Sequence, residues 1–179
     1  MTSQHREEDK EYDLVYADPP WRQTKGGKRK IRPNQGKKLD YPVLSLEDIK
    51  DILSKYSDAP TLFLWTIDKF LHEAEDIAKE LGYKLHARII WDKTNGVAPA
   101  FTVRYSHEYL LWFYKSPMPK IDVSQRGKWT TVIRESSSKH SKKPVVAYEF
   151  IEQLYPDCDR IELFARNLRD GWSSWGNEV

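Results

Sequence analysis

The segment "ADPPW", Ala17 to Trp21, sets a carboxylate, two prolines and an indole in a row. Proline has no N–H and holds φ at about −65°, so Pro19 and Pro20 make a rigid loop rich in carbonyl acceptors. Such a loop suits a reaction in which an aromatic amine is the nucleophile. The amine's lone pair is delocalised into its ring, and the free group attacks poorly. Two acceptors, one on each N–H, favour a tetrahedral nitrogen and turn the lone pair toward an electrophile. The Asp18 carboxylate supplies one acceptor and the Pro19 carbonyl can supply the other. Trp21, or Tyr41 further on, offers a face on which a base can stack. Positioning and preorganised electrostatics carry a reaction of this kind, and no nucleophilic side chain is needed. The plainer reading is a strand followed by a proline-rich turn with Asp as its turn former. It accounts for Asp18 and one proline, but poorly for the order acid, proline, proline, aromatic.

The elements that must hold this loop alternate along the chain. "YDLVYA" (Tyr12 to Ala17) reads as a buried strand. "SLEDIKDILSKY" reads as an amphipathic helix, with Ser45 as its cap, Asp48 three residues on, and Leu46, Ile49 and Leu53 on one face. "TLFLW" (Thr61 to Trp65) is the next strand, and a helix through Phe70, Leu71, Ala74, Ile77, Ala78 and Leu81 ends at Gly82. "KLHARIIW" and "HEYLLWFYK" are strands separated by the loop "DKTNGVAPAFTVRYS". A polar stretch reaches Ser141, a helix starts at Pro144 and stops by Pro156, and "RIELFA" and "WSSWG" close the chain as short strands.

This alternation predicts an α/β fold with a largely parallel sheet and helices on both faces, in one domain with residues 1–11 as a flexible tail. Ligands in such sheets bind beyond the carboxyl ends of the strands. That rule selects Asp18 to Trp21, Arg166, and the pair Asn177 and Glu178.

Charge adds a second candidate surface. Arg22 to Lys38 holds eight Lys or Arg and no acid, so of the net +2 the rest of the chain carries −6. This loop, with Lys28, Arg29 and Lys30 at its centre, is either a polyanion contact or a solvated surface segment; its place directly after Trp21 favours the contact. The polar N-terminus and the absence of a long apolar run predict a cytoplasmic protein with no secretory signal and no membrane span. Cys158 is the one cysteine, which excludes an internal disulfide and a cysteine-cluster metal site; no metal is expected.

Six blocks, "ADPPW", "YPVLSLEDI", "LFLWT", "HSKKP", "ELFAR" and "GWSSWGNE", resemble in this order the DPPW-type N(6)-adenine methyltransferases. That family includes the catalytic subunit of the eukaryotic mRNA adenosine methyltransferase and bacterial and phage relatives. The resemblance runs from about Tyr12 to Glu178. It implies a Rossmann-like methyltransferase fold in permuted order, with the catalytic strand first and the cofactor strands last. It also implies S-adenosylmethionine as cofactor. Asp18, Pro19, Pro20 and Trp21 would form the catalytic loop, with Asp18 also near the cofactor's amino group. Lys143 matches the lysine placed near the cofactor carboxylate, Arg166, Asn177 and Glu178 match ribose and adenine contacts, and Tyr41 matches a gate-loop aromatic near the target base. Each has a plainer rival: Lys143 as a solvated helix-end lysine, Arg166 as a partner of Asp170, Glu178 as a frayed terminus. His107, beside Glu108, reads as a satisfied strand histidine rather than a base.

The expected activity is methyl transfer to the exocyclic amine of adenine in nucleic acid, DNA favoured over RNA. The alternatives are a catalytically silent nucleic-acid-binding subunit of the same fold, and an amine methyltransferase acting on cytosine. Intact Asp18 to Trp21 and Lys143 argue against the first, and Trp21 against the second. Sequence choice must come from the basic loop, the "NGVAPAFTVRYS" loop or a partner subunit, and a homodimer is plausible on that ground.

Overall fold

The computed structural model describes residues 10–21, 44–95, 102–137 and 142–176. One seven-stranded sheet runs through them, with strands β1 (Leu14–Ala17), β2 (Thr61–Thr66), β3 (Lys84–Asp92), β4 (His107–Tyr114), β5 (Val132–Arg134), β6 (Arg160–Leu163) and β7 (Ser173–Trp175). Their spatial order is β5-β3-β4-β2-β1-β6-β7. β1 pairs parallel with β2 and β6, β6 with β7, and β3 with β5, while β4 runs antiparallel to both its neighbours. The first strand therefore sits inside the sheet, between β2 and β6.

Every residue of β1 and of β2 is buried, as expected of central strands covered on both faces. The alternation of side chains divides the core in two. Val15 and Ala17 face helices α1 (Leu46–Ser54) and α2 (Leu71–Glu80) through Ile49, Leu53, Ala74, Ile77 and Ala78. Leu14 and Tyr16 face helix α3 (Val145–Leu154) through Ala147, Phe150, Ile151 and Leu154. Helices on both faces of a largely parallel sheet were the sequence expectation, and the structure has them.

The local signals act as their chemistry dictates. Ser45 accepts from the Asp48 N–H at 3.1 Å, and the Asp48 carboxylate accepts from the Ser45 N–H at 3.0 Å, closing a capping box on α1. Gly82 ends α2 with φ of 88°, a conformation open to a residue without Cβ. The structure departs from the sequence reading at β5, inside the stretch assigned as polar and irregular. This edge strand has three residues, and only Ile133 of them is buried, too little for a periodic pattern. No helix of the described residues is long and apolar enough to cross a membrane.

Candidate active site

β1 ends at Ala17, and Asp18 stands at its carboxyl end, where its N–H reaches the Leu163 carbonyl of β6 at 3.4 Å. Alternation puts the Asp18 side chain on the α3 face with Tyr16. The next residues fold back on themselves, and the Trp21 N–H donates to the Pro19 carbonyl at 2.8 Å. That bond fixes the direction of the Pro19 carbonyl and leaves its second lone pair for another donor.

Trp21 holds the loop rather than offering an open face. It is 6% exposed, lies stacked on Phe70 with ring centroids 5.6 Å apart, and donates from Nε1 to the Trp65 carbonyl at 2.9 Å. The expectation of an indole open to a base is corrected on that ground: one face is taken by Phe70 and the ring belongs to the core.

Lys143 immediately precedes Pro144, the N-cap of α3. Its ammonium lies 3.1 Å from Asp18 Oδ1 and 2.6 Å from Glu108 Oε2, and 5.0 Å above the Trp65 ring. Lys93 binds the other side of Glu108, 2.6 Å from Oε1, and sits over the Trp91 ring at 5.0 Å. Asp18, Lys143, Glu108 and Lys93 thus alternate in sign in a half-buried row. The solvated-lysine reading of Lys143 does not hold, since its side chain is 12% exposed and doubly paired.

Burial and pairing set the protonation of this row. Burial raises the Asp18 carboxyl above its usual range, Lys143 opposes the shift, and the Glu108 charge adds to it. Burial acts the same way on Glu108, but two ammoniums outweigh it and hold that carboxyl below its usual value. Burial works against the charge on Lys143, yet Asp18 and Glu108 together raise its pKa. One carboxylate is locked in its ionised form while the other is poised closer to taking a proton.

Behind Asp18 on the same face, Glu162 of β6 pairs across the sheet with Tyr16 and accepts from the Tyr148 hydroxyl of α3 at 2.8 Å. Its residue is 7% exposed, and burial pushes its carboxyl up to about 7. Arg166, three residues beyond β6, is half-buried and close enough to draw the Asp18 pKa down. Gly176, after β7, is packed so tightly that a Cβ there would run into the Ala165 carbonyl oxygen and come to 2.7 Å of its nitrogen. With Ala165 donating to the Trp175 carbonyl at 3.1 Å, the ends of β6 and β7 are held as one unit.

Of the site residues expected from sequence, the structure brings Asp18, Pro19, Pro20, Trp21, Lys143 and Arg166 to one end of the sheet. Tyr41, Lys28, Arg29, Lys30, Asn177 and Glu178 lie outside the described residues. Glu108 was missed. It sits near the start of β4, not after a strand, and only the reversed direction of β4 brings it here. No group of His, Cys, Asp and Glu among the described residues could hold a metal ion.

The MT-A70 family model matches residues 12–178, nearly the whole chain. The chain belongs to the MT-A70 family. Within it, the chain is 30% identical to the type II methyltransferase M.MunI of Mycoplasma sp, over 95% of this chain and 78% of that protein. It is also 30% identical to the human N(6)-adenine-specific methyltransferase METTL4, over 95% of this chain and 38% of that protein. An N(6)-adenosine-methyltransferase MT-A70-like protein of Arabidopsis thaliana is 27% identical, over 94% and 24%. This MT-A70 chain thus spans most of the bacterial relative, and well under half of the human and plant ones.

Proposed function

We propose that this chain transfers a methyl group to the N6 amine of adenine in nucleic acid, DNA in preference to RNA, with S-adenosylmethionine as donor. The observation that carries it is the Asp18–Lys143 pair, 3.1 Å apart at the carboxyl end of the first strand and backed by a rigid Pro-Pro loop. A carboxylate beside an ammonium complements the ammonium and carboxylate of an amino-acid end, so this donor set fits such a cofactor. Asp18 and Lys143 would hold that end, and Arg166 lies on the side of the later strands. When bound, S-adenosylmethionine supplies an electrophilic methyl group on a sulfonium.

The rest is done by the chain's own groups. The Asp18 carboxylate and the free lone pair of the Pro19 carbonyl accept the two N–H bonds of the amine and orient its lone pair. The bond from Trp21 N–H to Pro19 and the indole anchored on Trp65 keep that carbonyl from turning away. The proton leaving the amine passes to the Asp18 carboxylate, which burial has made more basic, or to water. The relatives' names, a type II methyltransferase, an adenine-specific one and one for adenosine, support the methylated base; DNA before RNA is carried forward from the sequence reading for the acceptor panel to decide.

The test is transfer of a radiolabelled methyl group to duplex DNA, single-stranded DNA and RNA, followed by nucleoside analysis. Label in N6-methyladenine is expected, with DNA the better acceptor. Protein that binds the cofactor yet labels none of the three would refute the activity, and Asp18→Ala should abolish transfer without unfolding the chain.

A further inference from the structure

Among the Phe, Trp and Tyr side chains of the described residues, Tyr105 alone is exposed, at 53%. With the other described aromatics buried or half-buried, an open aromatic calls for a reason. Arg104 beside it is also exposed, and Val103 is 67% exposed. Residues 102–106 contain no acid, and neither Arg104 nor Tyr105 has an ion-pair or hydrogen-bond partner among the described residues.

These three residues belong to the rim of the site. The Lys93 N–H donates to the Ser106 carbonyl at 2.9 Å, so the segment is tied down at its base between β3 and β4. Glu108 follows Tyr105 by three residues and shares Lys143 with Asp18. At about 3.3 Å per extended residue, Tyr105 stands at most about 10 Å along the chain from Glu108. An exposed ring next to an exposed guanidinium is the arrangement that takes single-stranded nucleic acid, the ring under a base and the cation at a phosphate.

We propose that Val103, Arg104 and Tyr105 form a platform for the strand flanking the target adenine, with Tyr105 stacked on a neighbouring base and Arg104 at a phosphate. This rests on the proposed function and names where the polymer, rather than the reacting base, is held. The pairing of an open ring with a cation suits a base and its phosphate, so the occupant proposed is the nucleic-acid strand itself.

The test measures binding of fluorescent single-stranded and duplex oligonucleotides by anisotropy across a salt series, without any turnover. Tyr105→Ala should weaken single-strand binding about tenfold or more, the scale of one lost base–aromatic stack, while Tyr105→Phe keeps it. Arg104→Ala should lower the slope of log affinity against log salt by about 0.7 to 0.9, one phosphate contact. Cofactor affinity and melting temperature should stay as in the unaltered protein. Unchanged affinity in Tyr105→Ala, or equal loss in Tyr105→Phe, overturns the platform. So does a change of oligomeric state in Tyr105→Ala with oligonucleotide binding intact, which would assign the face to a second copy. If the unaltered protein binds oligonucleotides through Tyr105 but methylates none, the activity fails and the platform stands. If it methylates and Tyr105→Ala binds and methylates equally well, the platform alone fails. No oligonucleotide binding by the unaltered protein overturns both.

Discussion

The Lys143 ammonium bridges two carboxylates, 3.1 Å from Asp18 and 2.6 Å from Glu108. The two acids are therefore coupled, and each feels the other's charge through the shared cation. Asp18 must be ionised to accept an amine N–H, so activity should fall as pH drops through its pKa. Glu108→Gln removes a like charge and leaves Lys143 to Asp18 alone. The acid limb of the kcat profile should move to lower pH, and a limb that stays put or moves up contradicts the coupling. Lys143→Met should move it the other way and cost about 3–5 kcal/mol of stability, the usual result of orphaning buried charge.

Trp21 separates loop geometry from base stacking. Trp21→Phe keeps the packing on Phe70 but loses the bond to the Trp65 carbonyl, at a cost of about 1 kcal/mol in denaturant unfolding. Trp21→Ala should cost about 3–5 kcal/mol. If the indole works by holding the Pro19 carbonyl, kcat falls in both while cofactor affinity changes little. A variant with full stability loss but native kcat would show that the loop needs no such anchor.

Glu162 gives stability a pH dependence of definite sign. Its carboxyl titrates near 4.5 in the unfolded chain and at about 7 when folded, so the folded state binds the extra proton between those values. Stability should therefore decline as pH rises from about 4.5 to 7, by on the order of 3 kcal/mol, and level off above. Glu162→Gln keeps an acceptor for Tyr148 and should remove that decline, making the variant more stable than the parent at pH 8. Parallel stability curves for the two proteins would show that Glu162 is solvated after all.

Gly176 is set by contact rather than by backbone angle. Gly176→Ala must push β7 away from Ala165, and Arg166 is the next residue to feel it. Cofactor affinity should weaken at least tenfold with only a modest loss of melting temperature. Native affinity would mean that the strand ends shift without consequence.

Much of this was readable in the sequence because it is local. Proline rigidity, the Ser45–Asp48 box and the glycine after α2 act within a few residues, and the buried runs of β1 and β2 announce central strands. The pairing of Asp18 with Lys143 crosses 125 positions of chain, and it was legible only through resemblance to a family, not through any spacing. Glu108 escaped for a geometric reason. A rule that looks past the carboxyl ends of strands assumes that all strands point alike, and β4 points the other way. Tyr105 shows the converse, since nothing in an aromatic-rich sequence says which ring will be left outside.

The row Asp18, Lys143, Glu108, Lys93 holds two negative and two positive groups and so sums to zero. A donor bearing a net positive charge is then neither drawn in nor repelled by these four, and its capture depends on contact rather than long-range field. Donor affinity should accordingly be nearly indifferent to ionic strength. In the proposed reaction the sulfonium charge would be lost and the same balanced row would face a neutral thioether, so charge would not expel the spent donor. Turnover in such a site is exposed to inhibition by its own by-product.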